Sequence, residues 1–228
     1  MDLLMDSLYT AVQLILSGNQ DVLEVALRTI TISITSTFIS SLIFVPVGGF
    51  ISFYHFRGKN LIITIINTLF GTPTVFIGLI TFILLSKQGP MGQFNLLFSP
   101  AAIIIGHVLL ISPIITGLTI STLNSVPRQI TDTAKSLGAN RSQIILITLK
   151  QAKYGVYAAI LMGFGRAFSE IGLAIMVGGN IRGYTRTLTT AMSLETSVGN
   201  FELAMALGII LVSLSLSVNI IVGILQRR

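Results

Sequence analysis

The sequence predicts an all-α integral membrane protein with five transmembrane helices, an N-terminal interfacial helix, an outside N-terminus and a cytoplasmic C-terminus. Three observations lead to this fold class. Of the 228 residues, 52% are hydrophobic and only 10% are charged, and the mean hydropathy is +0.87. Ordinary soluble domains do not have this composition. Five runs with few or no charges are long enough to cross a bilayer. The basic residues fall between these runs, so membrane topology explains the net charge of +6 better than nucleic-acid binding does.

The first 20 residues predict an amphipathic helix that lies at the membrane interface. Leu4 and Leu8 recur at helical spacing beside the acidic edge that begins at Asp2. Residues 1–27 contain no Lys or Arg, so we expect no cleavable signal peptide.

The chain from 1 to 228 is predicted to be one transmembrane domain. Its predicted spans are residues 22–47, 61–85, 101–123, 154–177 and 201–225, with a polar loop at 180–200. Pro73 lies inside the second span and Pro113 inside the third. A proline in a span normally kinks the helix and frees a carbonyl that a neighbouring group must satisfy.

The distribution of basic residues predicts the orientation of the spans. If the segment 124–153 is cytoplasmic, the alternation of spans places most bases on that side. These are Arg57, Lys59, Arg128, Lys135, Arg141, Lys150, Lys153, Arg227 and Arg228. The opposite side then holds Lys87, Arg182 and Arg186, with Arg28 near the first entry.

The segment 124–153 is the main polar interruption of the sequence. Its part from 130 to 153 predicts two short helices joined at Gly138, because glycine readily adopts the left-handed turn that ends a helix. Asp132 begins a pattern of Asp-Thr-Ala, three residues and Gly. This pattern resembles the Glu-Ala-Ala coupling loop of permease subunits of ABC importers, although Lys150 stands about where that family has a proline. An ordinary basic cytoplasmic loop remains the alternative.

The resemblance implies that this loop docks into a groove on a separate ATPase subunit. An amphipathic helix suits that role, because it offers apolar side chains to a groove while its charges stay in water. The residues to which the resemblance assigns ATPase coupling are Asp132, Thr133, Ala134, Lys135, Leu137, Gly138, Ala139 and Arg141.

Arg166 and Glu170 lie one helical turn apart inside the fourth predicted span, so they share a face and can pair. An ionisable residue at membrane depth costs about 2.5 to 3.5 kcal/mol, which makes the pair a functional hypothesis. A structural pair buried between helices or subunits is the alternative.

Hydroxyl groups on the second and third spans are candidate donors to a tetrahedral anion. Thr and Ser also commonly bond to their own helix, which is the alternative for each of them. The candidate residues of a pathway or gate are Thr72, Thr116, Arg166, Ser169 and Glu170.

The run from 163 to 192 resembles the oxyanion branch of ABC permeases, which carry molybdate, tungstate and sulfate. The residues that carry this resemblance are Arg166, Ala167, Glu170, Gly172, Gly179, Asn180, Ile181, Thr187, Thr189 and Thr190. With LETSVGNF at 194–201, the sequence is most similar to tungstate permeases.

The resemblance implies a permease in the inner membrane that imports an oxyanion, with tungstate expected. It further implies a homodimer in contact with membrane lipid, two ATPase subunits that bind ATP and Mg²⁺, and an extracytoplasmic oxyanion-binding protein. Molybdate, sulfate or an amino acid are the alternative substrates within the same family.

Several functions are not supported by the sequence. It contains no phosphate-binding GxxxxGK[ST] loop, no HExxH metal motif and no arrangement of Ser, His and Asp that indicates a nucleophile. We therefore expect no catalytic residue, no metal site and no cofactor in this chain, and no nucleic-acid partner. The remaining rivals are an ATP-independent secondary transporter or channel and a structural membrane scaffold.

Overall fold

The computed structural model describes residues 2–226, which are helical apart from turns and loops and contain no strand. Met1 and the two basic residues predicted for the cytoplasmic tail, Arg227 and Arg228, lie outside the described residues. The helices are α1 (Asp2–Leu16), α2 (Gln20–Phe53), α3 (Lys59–Leu69), α4 (Thr74–Leu85), α5 (Pro100–Asn124), α6 (Arg128–Ser136), α7 (Arg141–Phe168), α8 (Gly172–Gly178), α9 (Leu188–Ser197) and α10 (Phe201–Gln226).

Four of these helices, α2, α5, α7 and α10, are long and apolar enough to cross a membrane. The pair formed by α3 and α4 passes the same test together, but it is bent by 103°. The described chain thus offers four or five candidate spans. The helix predicted at the N-terminus is α1, which packs against α10.

The helix α5 is the centre of the bundle and packs against α2 along much of its length. This close approach depends on small residues, because a methyl group added to Gly48 would lie 2.9 Å from the carbonyl oxygen of Thr116 and 3.0 Å from the Cβ of Thr119. The buried hydroxyls of Ser36 and Thr37 donate to carbonyls of their own helix, both at 2.7 Å, so they are satisfied without water.

The bundle has two ends, named here by the short helices they carry. At the α6 end, the hydroxyl of Ser52 in the last turn of α2 donates to Asn124 Oδ1 at the end of α5, at 2.8 Å. At the α9 end, Arg28 near the start of α2 donates to the carbonyls of Gly183 at 2.9 Å and Arg186 at 3.2 Å. The helices α2 and α7 each run between these two ends.

The predicted span 61–85 is a broken helix and not a continuous helix with a kink. Pro73 lies outside both halves and caps the N-terminus of α4. A proline there removes no helical hydrogen bond, since the first N–H groups of a helix have no partner within it. By contrast, α5 continues through Pro113 without interruption.

The prediction of two short helices within residues 130–153 is wrong for the second of them. Only α6 is a short helix, whereas the second half belongs to the 28-residue helix α7. Polar residues extend into the first turns of a helix that also carries the apolar run, and hydropathy marks only the apolar part.

The predicted span 154–177 and the predicted polar loop 180–200 also differ from the structure. The helix α7 ends at Phe168, and a short break precedes α8. The supposed loop contains α9, whose Leu188, Thr189 and Thr190 are buried. Threonines have little hydropathy, so a packed Thr-rich helix has the sequence signature of a loop.

Candidate functional site

Arg166 and Glu170 form the ion pair that their spacing predicts. Arg166 Nη1 lies 3.1 Å from Glu170 Oε2. Glu170 is buried, with 3% of its surface exposed, whereas 36% of the Arg166 side chain is exposed. The carboxylate therefore fixes a guanidinium that still reaches the surface of the chain.

Glu170 also joins three helices. Its Oε1 accepts the N–H of Leu173 in the first turn of α8 at 3.0 Å. Its main-chain carbonyl accepts the hydroxyl of Thr189 from α9 at 2.8 Å. Glu170, in the break between α7 and α8, thus accepts hydrogen bonds from both α8 and α9.

The break between α3 and α4 and the break between α7 and α8 lie side by side. A methyl group added to Gly172 at the start of α8 would lie 3.4 Å from Thr74 Oγ1 and 3.7 Å from Glu170 Oε1. One turn further along, a methyl group on Gly78 of α4 would lie 3.2 Å from the Cα of Leu173. The N-terminal ends of α4 and α8 therefore meet beside the Arg166–Glu170 pair.

The structure brings together some of the predicted pathway residues and separates one from them. Thr72 lies in the break before α4, and Ser169 caps the end of α7, where its hydroxyl donates to the Gly165 carbonyl at 2.9 Å. Thr116 lies instead at the crossing of α2 and α5, and its hydroxyl donates to the Ser112 carbonyl at 2.7 Å. For Thr116 the alternative interpretation, a bond to its own helix, describes the observed geometry.

Sequence reasoning missed Thr189 as part of this site. Its hydroxyl is buried, and it also lies 2.9 Å from the Thr187 hydroxyl, which caps α9. The available signal was the Thr-Leu-Thr-Thr run, in which Thr187 and Thr190 form a capping box.

A second group of charged residues lies at the α9 end. Arg182 is paired with Asp21, and Arg28 lies 3.7 Å from Glu24. Arg186 donates to Asn180 Oδ1 at 3.2 Å. A cavity of about 250 Å³ is lined by charged side chains of this group and by apolar side chains of α2, α9 and α10; the charged ones of this group are Asp21, Glu24, Arg182 and Arg186. The loop at 180–187 is therefore fastened to α2.

The segment predicted to contact an ATPase begins with α6. Ala134 is buried against the bundle, and Asp132 Oδ1 accepts a hydrogen bond from Lys135 Nζ at 3.0 Å. Leu137 is 83% exposed. A fully exposed leucine at the end of a surface helix is a candidate contact for another protein.

Gly138 makes the left-handed turn that the sequence predicts, with a φ of +82°. The Ala139 N–H donates to the Ala134 carbonyl at 3.0 Å and the Gly138 N–H to the Lys135 carbonyl at 2.9 Å, which is a Schellman ending of α6. Asn140 and Gln143 then form a capping box that starts α7. The turn fixes α6 relative to the long helix.

In the part of the chain that the structure describes, several buried side chains carry polar atoms without hydrogen-bond partners. Within residues 2–226, both ring nitrogens of His107 lack a hydrogen-bond partner, and so does the hydroxyl of Thr119. His107 follows Gly106, whose Cα faces the side chain of Leu173. The imidazole thus belongs to the same layer of the bundle as the α7–α8 break.

Among the described residues, no group of three or more His, Cys, Asp or Glu side chains is arranged to hold a metal ion. The arrangement offers instead a partly exposed guanidinium, the N-terminus of α4 and hydroxyl groups at a pair of helix breaks.

Comparisons with known proteins agree with one another. The sequence model of the family described as "Binding-protein-dependent transport system inner membrane component" matches residues 44–228. The chain is 33% identical over 228 residues, all of both chains, to the tungstate uptake system permease protein TupB of Peptoclostridium acidaminophilum. It is 32% identical to the TupB of Campylobacter jejuni over 100% of this chain and 95% of that protein. It is also 38% identical, over 82% of this chain and 83% of the relative, to a probable anion ABC transporter permease protein of Haloferax volcanii.

Proposed function

This chain belongs to the family of binding-protein-dependent transport system inner membrane components, and we propose that it is the permease subunit of an ATP-driven importer of tungstate. It is a multi-pass protein of the inner membrane and a transporter subunit, not itself an enzyme. The observation that supports tungstate as the substrate is the end-to-end similarity to tungstate permeases.

We propose that the working transporter contains two copies of this chain, two ATPase subunits and an extracytoplasmic oxyanion-binding protein. Four or five spans enclose a pathway poorly, which supports a pathway at the interface of two copies. Each chain has one α6 segment, so one ATPase per chain is the simplest stoichiometry. ATP and Mg²⁺ bind to the ATPase.

The helix α7 provides a mechanical link in this proposal. It is 28 residues long, or about 42 Å at 1.5 Å per residue, and it runs without a break from Arg141 to Phe168. A displacement of α6 by the ATPase would therefore be delivered at the Arg166–Glu170 pair. Movement there would alter how the breaks before α4 and α8 meet.

For the anion itself, the surroundings of Arg166 support a pathway position. The N-terminus of α4 lies in this region beside Gly172, and the N-termini of half-helices bind anions in other transporters. Glu170 offsets part of that positive charge, which favours passage over tight binding. Thr72 would add a hydroxyl donor, whereas Ser169 and Thr116 could donate to an anion only after releasing the carbonyls of Gly165 and Ser112.

The proposed topology places the α6 end in the cytoplasm and the α9 end outside. The chain contains no cysteine, so single cysteines at Ser142 and at Tyr184 can be labelled without background. In intact cells we expect a membrane-impermeant maleimide to label Tyr184→Cys and not Ser142→Cys. If Ser142→Cys were labelled and Tyr184→Cys were not, the α6 end would lie outside and the proposed topology would be wrong.

The function is tested by co-purifying the chain with its candidate ATPase and following tungstate uptake into ATP-loaded vesicles. Leu137→Ser and Asp132→Lys should reduce ATPase binding and uptake by at least tenfold. Val198→Ser is the matched control, because Val198 is a similarly exposed apolar residue, 67% exposed, at the α9 end. Uptake without ATP, or no ATPase bound to the natural chain, would overturn the proposal.

The alternative substrates within the family are tested in the same vesicles. Excess molybdate or sulfate should compete with tungstate only weakly if tungstate is the substrate. Equal competition by molybdate would assign the permease to a mixed oxyanion system, whose selectivity lies in the binding protein.

A further inference from the structure

Tyr54 follows the last residue of α2 and lies against the first residue of α7. The guanidinium carbon of Arg141 is 4.6 Å from the centroid of the Tyr54 ring. On α2, the Phe50 ring stacks with Tyr54 at 4.7 Å and an interplanar angle of 24°. The Tyr54 N–H also donates to the Phe50 carbonyl at 3.1 Å. The aromatic ring is therefore a fixed part of the end of α2, and a cation lies over it.

Neighbouring hydrogen bonds hold the same end of α2. Lys59 Nζ donates to the carbonyls of Ser52 at 2.8 Å and Tyr54 at 3.3 Å. The Ser52 hydroxyl in turn donates to Asn124, as described above. These contacts connect the end of α2 to α3 and α5, and the Tyr54–Arg141 contact connects it to the start of α7.

At the α9 end, α2 is tied to the chain that continues from α7. Thr29 Oγ1 accepts the buried N–H of Leu188 at 2.9 Å, and Thr189, the next residue, donates to Glu170. The helix α2 is thus connected to the α7 chain at both ends, and α2 and α7 also pack against each other between them. Contacts at both ends favour joint movement of the two helices.

We propose that Tyr54 is a positioning residue for energy coupling: its ring receives Arg141, and this contact makes α2 follow α7 when the ATPase displaces α6. The inference rests on the proposed function, because it takes the α6 segment as the ATPase contact. It adds α2 to the moving part of the transporter, although α2 has no residue in the predicted coupling segment.

The direct test measures the distance between α2 and α7 in the assembled transporter. Spin labels are attached at His55→Cys and Ser142→Cys in the otherwise cysteine-free chain, with its ATPase bound. We expect the same distance within one protomer in the nucleotide-free and ATP-bound states. In Tyr54→Leu the distance should change or broaden on ATP binding, whereas Tyr54→Phe, which keeps the ring, should behave like the natural chain.

The functional readout is the stimulation of ATP hydrolysis by the substrate-loaded binding protein. Tyr54→Leu should reduce this stimulation by roughly two- to fivefold, the factor that one exposed cation–π contact supplies, while the ATPase remains bound. Tyr157→Leu removes an exposed tyrosine from α7 away from this contact and should leave the stimulation unchanged. Combining Tyr54→Leu with Arg141→Gln should lower it no further than the more damaging single change.

A distance that changes in the natural chain, or unchanged stimulation and distance in Tyr54→Leu, would overturn the inference. If Tyr54→Leu does not yield a folded complex, Arg141→Gln in the labelled chain removes the same contact with the aromatic stack intact; ATPase retention is measured alongside, because Arg141 also belongs to the predicted coupling segment. Failure of the natural chain to bind an ATPase would instead reject the proposed function, so the two failures are distinguishable.

Discussion

At the residue scale, Glu170 connects several segments of the proposed pathway. Its carboxylate holds Arg166 and the first turn of α8, and its carbonyl holds Thr189. A buried carboxylate is stable in a membrane protein only when its oxygens have partners. The sequence predicted the pairing with Arg166, because that residue lies four positions away.

We expect Glu170→Ala to lower the free energy of unfolding in detergent by roughly 2 kcal/mol, since it leaves Arg166 unpaired and an N–H of α8 without an acceptor. Glu170→Gln keeps an acceptor for Leu173 and should cost less. Thermal unfolding of the purified chain checks the order of the two variants. Equal unfolding temperatures of Glu170→Ala and Glu170→Gln would show that the hydrogen bond from Leu173 of α8 does not contribute to stability.

We expect His107 to lower the free energy of unfolding of the chain. It is 2% exposed, and neither ring nitrogen has a partner within residues 2–226. A buried polar group without a partner costs about 1 to 3 kcal/mol, so His107→Leu should raise the unfolding temperature. His107→Gln, which stays polar, is the control and should not. A lower unfolding temperature for His107→Leu would contradict this.

At the element scale, the α6–α7 junction is defined by one backbone conformation. Gly138 has positive φ, and open space surrounds the position that a Cβ would occupy. Any effect of a side chain there is therefore an effect on the backbone and not a clash. This makes the junction a clean test of whether the orientation of α6 matters.

Gly138→Val should weaken binding of the ATPase, because a β-branched residue in the left-handed region costs about 1 to 2 kcal/mol. Gly138→Asn is the matched control, since Asn adopts this conformation readily and should retain most of the binding. ATPase retained on the immobilised permease is the measurement. Equal retention by both variants would mean that α6 docks without a fixed orientation.

At the scale of the whole molecule, the crossing of α2 and α5 sets how closely the bundle packs. Two adjacent glycines on α2 differ completely in their surroundings. A Cβ on Gly48 would meet the Thr116 carbonyl at 2.9 Å, whereas a Cβ on Gly49 would meet nothing within 4 Å. One glycine is required by the crossing, and the other is not.

Gly48→Leu should therefore destabilise the chain by about 1 to 3 kcal/mol or more, because α2 and α5 must separate to admit the side chain. Gly49→Leu should be neutral or slightly stabilising, since it adds a good helix former on an open face. Unfolding temperatures of the two variants, measured side by side, give the comparison. A destabilising Gly49→Leu with a neutral Gly48→Leu would place the crossing elsewhere.

The sequence by itself determined the features that depend on composition or on neighbours a few residues apart. Hydropathy identified a helical membrane protein, the i, i+4 spacing identified the pair of Arg166 and Glu170, and the glycine at 138 identified the end of α6. Each follows from transfer energies or local backbone geometry, which act over one span or one turn.

Only the tertiary structure decided how distant segments meet. It joined the breaks before α4 and α8, packed the threonines of α9 against Glu170, and placed Arg141 over Tyr54. The hydrogen bond from Leu188 to Thr29 joins residues 159 positions apart. No local pattern specifies such pairs, because they result from the packing of whole helices, in which small residues such as Gly48 decide which faces come together.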